Sequence, residues 1–174
     1  RLLLGLKIEQ ARLTRLMGRA TLSTLRVIEG QAQEFLMKDE AYPGVERYLS
    51  VIRGKTSGLF AFPVVGAMEA LGVEAETCAI VERAATELGM LFQIQDDLLD
   101  IYGDKGRDRA ATDIAEGKTS ILVAHVNETG EAADRRELAE ILRLPRERTS
   151  DADIGRAIAI FDRCGAKAAA IGKV

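Results

Sequence analysis

The chain has 174 residues, 47% of them hydrophobic and 29% charged, with 24 Lys or Arg against 27 Asp or Glu for a net charge of −3. That length fits one helical domain, 1–174, with enough chain to bury a core. The weak negative charge argues against nucleic-acid binding by charge alone, the absence of Trp and the low aromatic content leave few candidates for base stacking, and no apolar run approaches the roughly 20 residues of a membrane span.

Taken in order, residues 1 to about 18 place Leu3, Leu6, Ile8, Ala11, Leu13, Leu16 and Met17 at helical spacing, and Gly18 is expected to interrupt or end that helix. The first residues already read as mid-helix, so the chain is expected to be cut at its start. A second helix is expected from about Thr21 to Lys38. Gly30 lies in its interior, where a glycine costs roughly 1 kcal/mol against alanine and suggests close packing or a ligand. Asp39 to Gly44 is a turn with Pro43. A third helix begins near Val45 and includes Tyr48, Leu49 and Ile52. Gly54-Lys55-Thr56-Ser57-Gly58 breaks the pattern before an apolar run from Leu59 to Leu71, which Pro63 should kink. GKTSG resembles the end of a phosphate-binding P-loop, but position 49 is Leu rather than the required glycine, and the preceding run is helical.

A long helix is expected from about Glu74 to Tyr102, then a charged loop from Gly103 to Gly117. Lys118-Thr119-Ser120 opens a helix from Ile121 to about Asn127, and another spans roughly Ala132 to Leu144, stopped by Pro145. Ser150-Asp151-Ala152-Asp153 caps the last helix, which runs past Phe161. No alternating strand pattern or internal repeat is present, so the class is all-α. Cys78 and Cys164 lack metal-ligand spacing and read as buried free thiols in a reducing, cytoplasmic compartment. His125 is the single histidine, which argues against a His-based metal site.

The chemistry concentrates in Phe92-Gln93-Ile94-Gln95-Asp96-Asp97-Leu98-Leu99-Asp100. On a helix Gln93, Asp96, Asp97 and Asp100 stand at i, i+3, i+4 and i+7, one stripe. No Lys or Arg occurs between Arg83 and Lys105, and the stripe lies at a helix C-terminus, where the dipole disfavours carboxylates. A cation is therefore implied. Oxygen ligands without His or Cys suit Mg2+ or Mn2+, and Mg2+ completes its shell with water and phosphate. The stripe thus suggests both a metal and a phosphate-bearing ligand.

FQIQDDLLD, followed by a polar loop and Asp113…Gly117-Lys118-Thr119-Ser120, resembles the second aspartate-rich region of the trans-isoprenyl diphosphate synthases, or polyprenyl synthetases. Gly30-Gln31 with Glu34 looks like that family's GQxxD, Lys55-Thr56 like its KT pair, and Cys164-Gly165-Ala166, expected in the last helix, also looks familiar. The resemblance covers nearly the whole chain but only the later part of the family's fold. It implies an antiparallel helical bundle of the isoprenoid synthase (class I terpenoid) type, incomplete at the N-terminus, normally a homodimer. It also implies a Mg2+-dependent prenyltransferase that joins isopentenyl diphosphate to an allylic diphosphate.

Carried over residue by residue, the resemblance implies that Asp96 and Asp100 face the metal, with Asp97 supporting by ligation or outer-shell hydrogen bonds. Lys55 would hold the allylic diphosphate, the Thr56 carbonyl and Gln93 amide would stabilise the allylic cation, and Gln31 and Lys118 would contact substrate. The family's loop Gly-Lys appears as Gly106-Arg107, with Arg109 the competing candidate for that phosphate contact. Glu34 stands where Asp is usual. The family's earlier DDxxD and the upstream basic residues are absent, so the 174 residues alone are expected to be inactive. Two alternatives remain open. A class I terpene cyclase is disfavoured because such enzymes carry an NSE-type motif where this chain has DDxxD. A non-catalytic, prenyl-diphosphate-binding partner subunit is supported by the missing first motif.

Overall fold

The computed structural model describes residues 3–103 and 111–174. Among them no strand occurs. The helices are α1 (Gln10–Met37), α2 (Val45–Lys55), α3 (Ser57–Leu71), α4 (Ala75–Tyr102), α5 (Thr112–Ala115), α6 (Ile121–Thr129), α7 (Ala132–Leu142), α8 (Asp151–Arg163) and α9 (Ala166–Ile171). The chain falls into two compact units: Arg1–Gln33 with Val51–Met90, and Glu34–Ser50 with Leu91–Val174.

In the first unit α1 runs unbroken through Gly18, so the expected boundary there does not exist. One glycine is a modest helix penalty, and Leu16, 3% exposed, anchors the helix beside it. The expected helix over residues 1–18 also starts later, after a short 3-10 turn at Leu3–Gly5. The break expected over Gly54–Gly58 narrows to Thr56, which lies between α2 and α3. Leu16, Val51, Ile52, Ala61, Val65 and Cys78 supply buried apolar surface. Gly72, at φ 81, ends α3 in the left-handed conformation, and its N–H bonds the carbonyl of Glu69.

In the second unit α6 is buried almost all round and packs against α7, α8 and α9. Its entry is fixed by Ser120, whose side chain accepts from Val123 N–H at 3.4 Å. The Ser150 cap of α8 is present as a capping box with Asp153. Cys164-Gly165-Ala166 does not lie inside one helix. Gly165, at φ 67, turns the chain between α8 and α9. Both cysteines are free; Cys78 is buried, whereas Cys164 is only half-buried and donates to Asp134 Oδ2 at 3.5 Å. No described helix is long and apolar enough to cross a membrane.

Candidate active site

The second unit holds the acidic stripe. Asp97 is fully buried, and four donors reach its carboxylate. Gln93 Nε2 at 3.1 Å and Lys118 Nζ at 2.7 Å bond Oδ1, while Tyr48 OH at 2.8 Å and the Ile121 N–H at 2.9 Å bond Oδ2. Four donors match the lone-pair capacity of one carboxylate. Each comes from a different place: one helical turn earlier on α4, the turn before α6, α2, and the first residue of α6. Asp97 therefore ties these segments together through charge-assisted bonds in a water-excluded setting.

Asp100 is also buried. Thr112 Oγ1 donates to its Oδ1 at 2.8 Å, and the Asp113 N–H to its Oδ2 at 2.9 Å. Its carbonyl accepts from the Ala111 N–H at 2.8 Å, which satisfies a C-terminal carbonyl of α4. Ala111 adopts φ 57, a conformation costly for a residue with a Cβ, to bring α5 back onto α4. Asp96 lies half-buried on the same stripe.

Lys118 Nζ bridges Asp97 and Asp113, at 2.7 Å to each. Burial works against its ammonium, but the two carboxylates outweigh burial and hold its pKa above the ordinary lysine value. Asp113 is raised despite its lysine, first by burial and then by repulsion from Asp97 and Asp100. The two ends of the pair differ because Lys118 serves two carboxylates at once while Asp113 sits among other acids. Burial, reinforced by Asp97, also raises the Tyr48 phenol well above 10.0, so it remains a donor.

The first unit holds Gln31, Lys55 and Thr56. A Cβ placed on Gly30 would lie 2.4 Å from Lys55 N and 2.7 Å from its Cα. The unusual glycine inside α1 thus has a packing reason: the backbones of α1 and α2 meet there, and Gly54 faces Gly30 across the contact. That crossing sets Gly30 of one motif against Lys55 of the other. Thr56 is buried, and its carbonyl accepts from the Leu59 N–H at 3.0 Å.

The structure therefore gathers Gln93, Asp96, Asp97, Asp100 and Lys118 in one unit and Gln31, Lys55 and Thr56 in the other. Arg107 and Arg109 lie outside the described residues. Sequence reasoning missed Tyr48, Thr112 and Asp113 as partners of the stripe. Asp113 had a signal, its place five residues before Lys118, whereas Tyr48 read as one more apolar helix position. Among the described residues no group of three or more His, Cys, Asp or Glu side chains is arranged to hold a metal. The ligand atoms that the stripe itself offers are carboxylate oxygens, which fits a hard cation that takes one or two carboxylates.

The family model for polyprenyl synthetase matches residues 2–161. The chain belongs to the polyprenyl synthetase family. It is 38% identical over 140 residues to a short chain isoprenyl diphosphate synthase of Methanocaldococcus jannaschii, covering 79% of this chain and 42% of that protein. Among solved structures, a geranylgeranyl pyrophosphate synthetase from Pyrococcus horikoshii Ot3 superposes with a TM-score of 0.85 at 23% identity, covering 98% of this chain and 52% of that one. A geranylgeranyl pyrophosphate synthase from Corynebacterium glutamicum, complexed with isoprenyl diphosphate and magnesium, gives 0.83 at 22% identity, covering 95% and 47%. The fold is that of the all-α isoprenoid synthases. The chain spans about half the length of the relatives it matches.

Proposed function

We propose that these residues are the later part, over 1–174, of a cytoplasmic, homodimeric prenyltransferase that condenses isopentenyl diphosphate with an allylic diphosphate into a linear polyprenyl diphosphate. The observation that carries the reading is the Tyr48–Asp97–Lys118 node, which fixes the orientation of the stripe that bears Asp96 and Asp100. Rigid placement of charge where a diphosphate leaves is what such chemistry requires.

Magnesium, bound in the complex of the Corynebacterium relative, would be held by Asp96 and Asp100 and would supply Lewis-acid stabilisation of the leaving diphosphate. Asp97, already surrounded by four donors, takes the supporting role through hydrogen bonds rather than ligation. Lys118 has a third N–H beyond its two carboxylate bonds to offer a phosphate oxygen. Lys55 holds the allylic diphosphate, with Arg107 and Gln31 as further substrate contacts. The Thr56 carbonyl and the Gln93 amide are assigned to stabilising the allylic cation, and Gln93 Nε2 is also engaged with Asp97 at 3.1 Å. The isopentenyl double bond attacks that cation, and a proton is then lost.

The activity is proposed for these residues together with the part of the relatives that they do not span. Alone, the 174 residues should bind diphosphate weakly and not condense substrates. An elongation assay on the full-length protein, with isopentenyl diphosphate, a set of allylic diphosphates and Mg2+, tests this. Linear products abolished by EDTA support the reading, and cyclic hydrocarbons or no turnover contradict it.

A further inference from the structure

The second unit also contains a cavity of about 280 Å³. It is bounded by the end of α1 and the segment through Pro43, the turn at Glu116–Thr119, α6 and α7. None of Asp96, Asp97, Asp100, Asp113 or Lys118 lines it, so it is separate from the acidic node and independent of the proposed function. The volume exceeds the roughly 150 Å³ that accommodates benzene and lies just under the usual range for ligand pockets, which sets the scale at a small metabolite.

Its lining includes Thr119, in the turn before α6, and Val123 and Asn127, at i and i+4 on α6. Thr119 is 7% exposed, and its hydroxyl has no hydrogen-bond partner among the described residues. Asn127 is 9% exposed. Its Nδ2 donates to the Pro43 carbonyl at 3.0 Å, and its Oδ1 has no donor among the described residues. Neither atom is sealed in the core: both remain open to solvent and so to a ligand in the cavity. Tyr42 on the wall holds φ 53, a strained conformation for a residue with a side chain, with Arg135 stacked 5.6 Å from its ring centroid. Backbone strain of this kind concentrates at binding sites.

The charges on the rim decide what would bind. Glu40 is neutralised by Arg47 at 2.7 Å, and Glu116 by Arg146 at 2.8 Å. Lys38 donates only to the Glu116 carbonyl, at 2.6 Å, and Arg143 and Asp39 have no ion pair among the described residues. Two uncompensated cations thus face one uncompensated carboxylate. The geometry points to a second binding site, for a small hydroxylated organic anion whose carboxylate or phosphate is taken by Lys38 and Arg143 and whose hydroxyls are taken by Thr119, Asn127 and Asp39.

Calorimetry in Mg2+-free buffer tests this with glycerol 3-phosphate and D-glycerate as separate probes and glycerol as the neutral comparator. At least one anion should saturate with a Kd of about 1 mM or tighter, and glycerol should bind at least about tenfold more weakly. Saturation by glycerol 3-phosphate alone assigns a phosphate ligand, and by D-glycerate alone a carboxylate. Arg143→Ala, at an exposed position that leaves the core intact, should weaken the bound anion about tenfold, whereas Arg136→Ala, an exposed arginine outside the cavity, should not. Thr119→Val, which keeps the shape and removes the hydroxyl, should weaken it several-fold. The site is overturned if neither anion saturates, or if Arg143→Ala and Arg136→Ala bind alike.

Discussion

The Tyr48 hydroxyl donates to Asp97 at 2.8 Å, joining positions 49 residues apart inside one unit. The contact changes how the acidic stripe is read. A carboxylate that looked like a metal ligand by spacing is, in the fold, the point on which α2, α4, the Lys118 turn and α6 converge. Removing Tyr48's hydroxyl by Tyr48→Phe leaves Asp97 short of one donor and should cost about 1–3 kcal/mol. Asp97→Ala leaves the Lys118 ammonium and the Ile121 N–H facing a void and should cost roughly 3–5 kcal/mol. Urea denaturation of both variants measures this, and equal stabilities would contradict the hierarchy.

The raised phenols of Tyr48 and Tyr102 predict a weakness to alkali. Burial raises Tyr48 well above 10.0 with Asp97 reinforcing it, and burial also raises Tyr102, whose hydroxyl bonds Asp162 at 2.8 Å. In each case the folded protein binds the phenolic proton more tightly than the unfolded chain. The unfolded state therefore loses protons first, and stability falls as pH rises above about 10. Lys118 acts in the same direction, since its folded pKa also lies above its ordinary value. Absorbance of tyrosinate, followed alongside unfolding, should show that Tyr48 ionises only as the fold is lost. Tyr48→Phe should flatten the alkaline slope, and an unchanged slope would contradict the assignment.

Two glycines of α1 should respond oppositely to alanine. A Cβ at Gly18 meets nothing within 4 Å, so Gly18→Ala should stabilise by about 0.5–1 kcal/mol through helix propensity. At Gly30 the Cβ would fall 2.4 Å from Lys55 N, a backbone atom that cannot yield cheaply. Gly30→Ala should therefore destabilise by roughly 2–3 kcal/mol and force the backbones of α1 and α2 apart. Melting temperatures of the pair would settle it; similar shifts would mean that the α1–α2 contact is looser than described.

Much of this was legible in the sequence because it is local. The span of α4, the cap at Ser150 and the stop near Pro145 follow from periodicity and end signals within a few residues. Gly18 misled because a glycine is a weak penalty that flanking residues can carry, while Gly30, the same residue type, marks a helix contact. Cys164-Gly165-Ala166 reads as helical because its local pattern does not announce the left-handed φ of Gly165. At the site, spacing put Gln93, Asp96, Asp97 and Asp100 on one stripe but left all three carboxylates equivalent. What distinguishes them is long-range: Tyr48, Lys118 and Ile121 meet at Asp97, and Thr112 and Asp113 at Asp100. Pairings across tens of residues leave no periodic trace.

The central claim is that Asp97 holds the acidic stripe in place while Asp96 would hold the metal. The direct test compares Asp96→Ala and Asp97→Ala in the full-length protein, measuring kcat for chain elongation at saturating Mg2+ together with urea stability. Asp96→Ala should lower kcat by at least about a hundredfold while changing stability by less than about 1 kcal/mol, and Asp97→Ala should lose roughly 3–5 kcal/mol of stability. Near-normal turnover in Asp96→Ala, or an Asp97→Ala protein as stable as the parent, would contradict the claim.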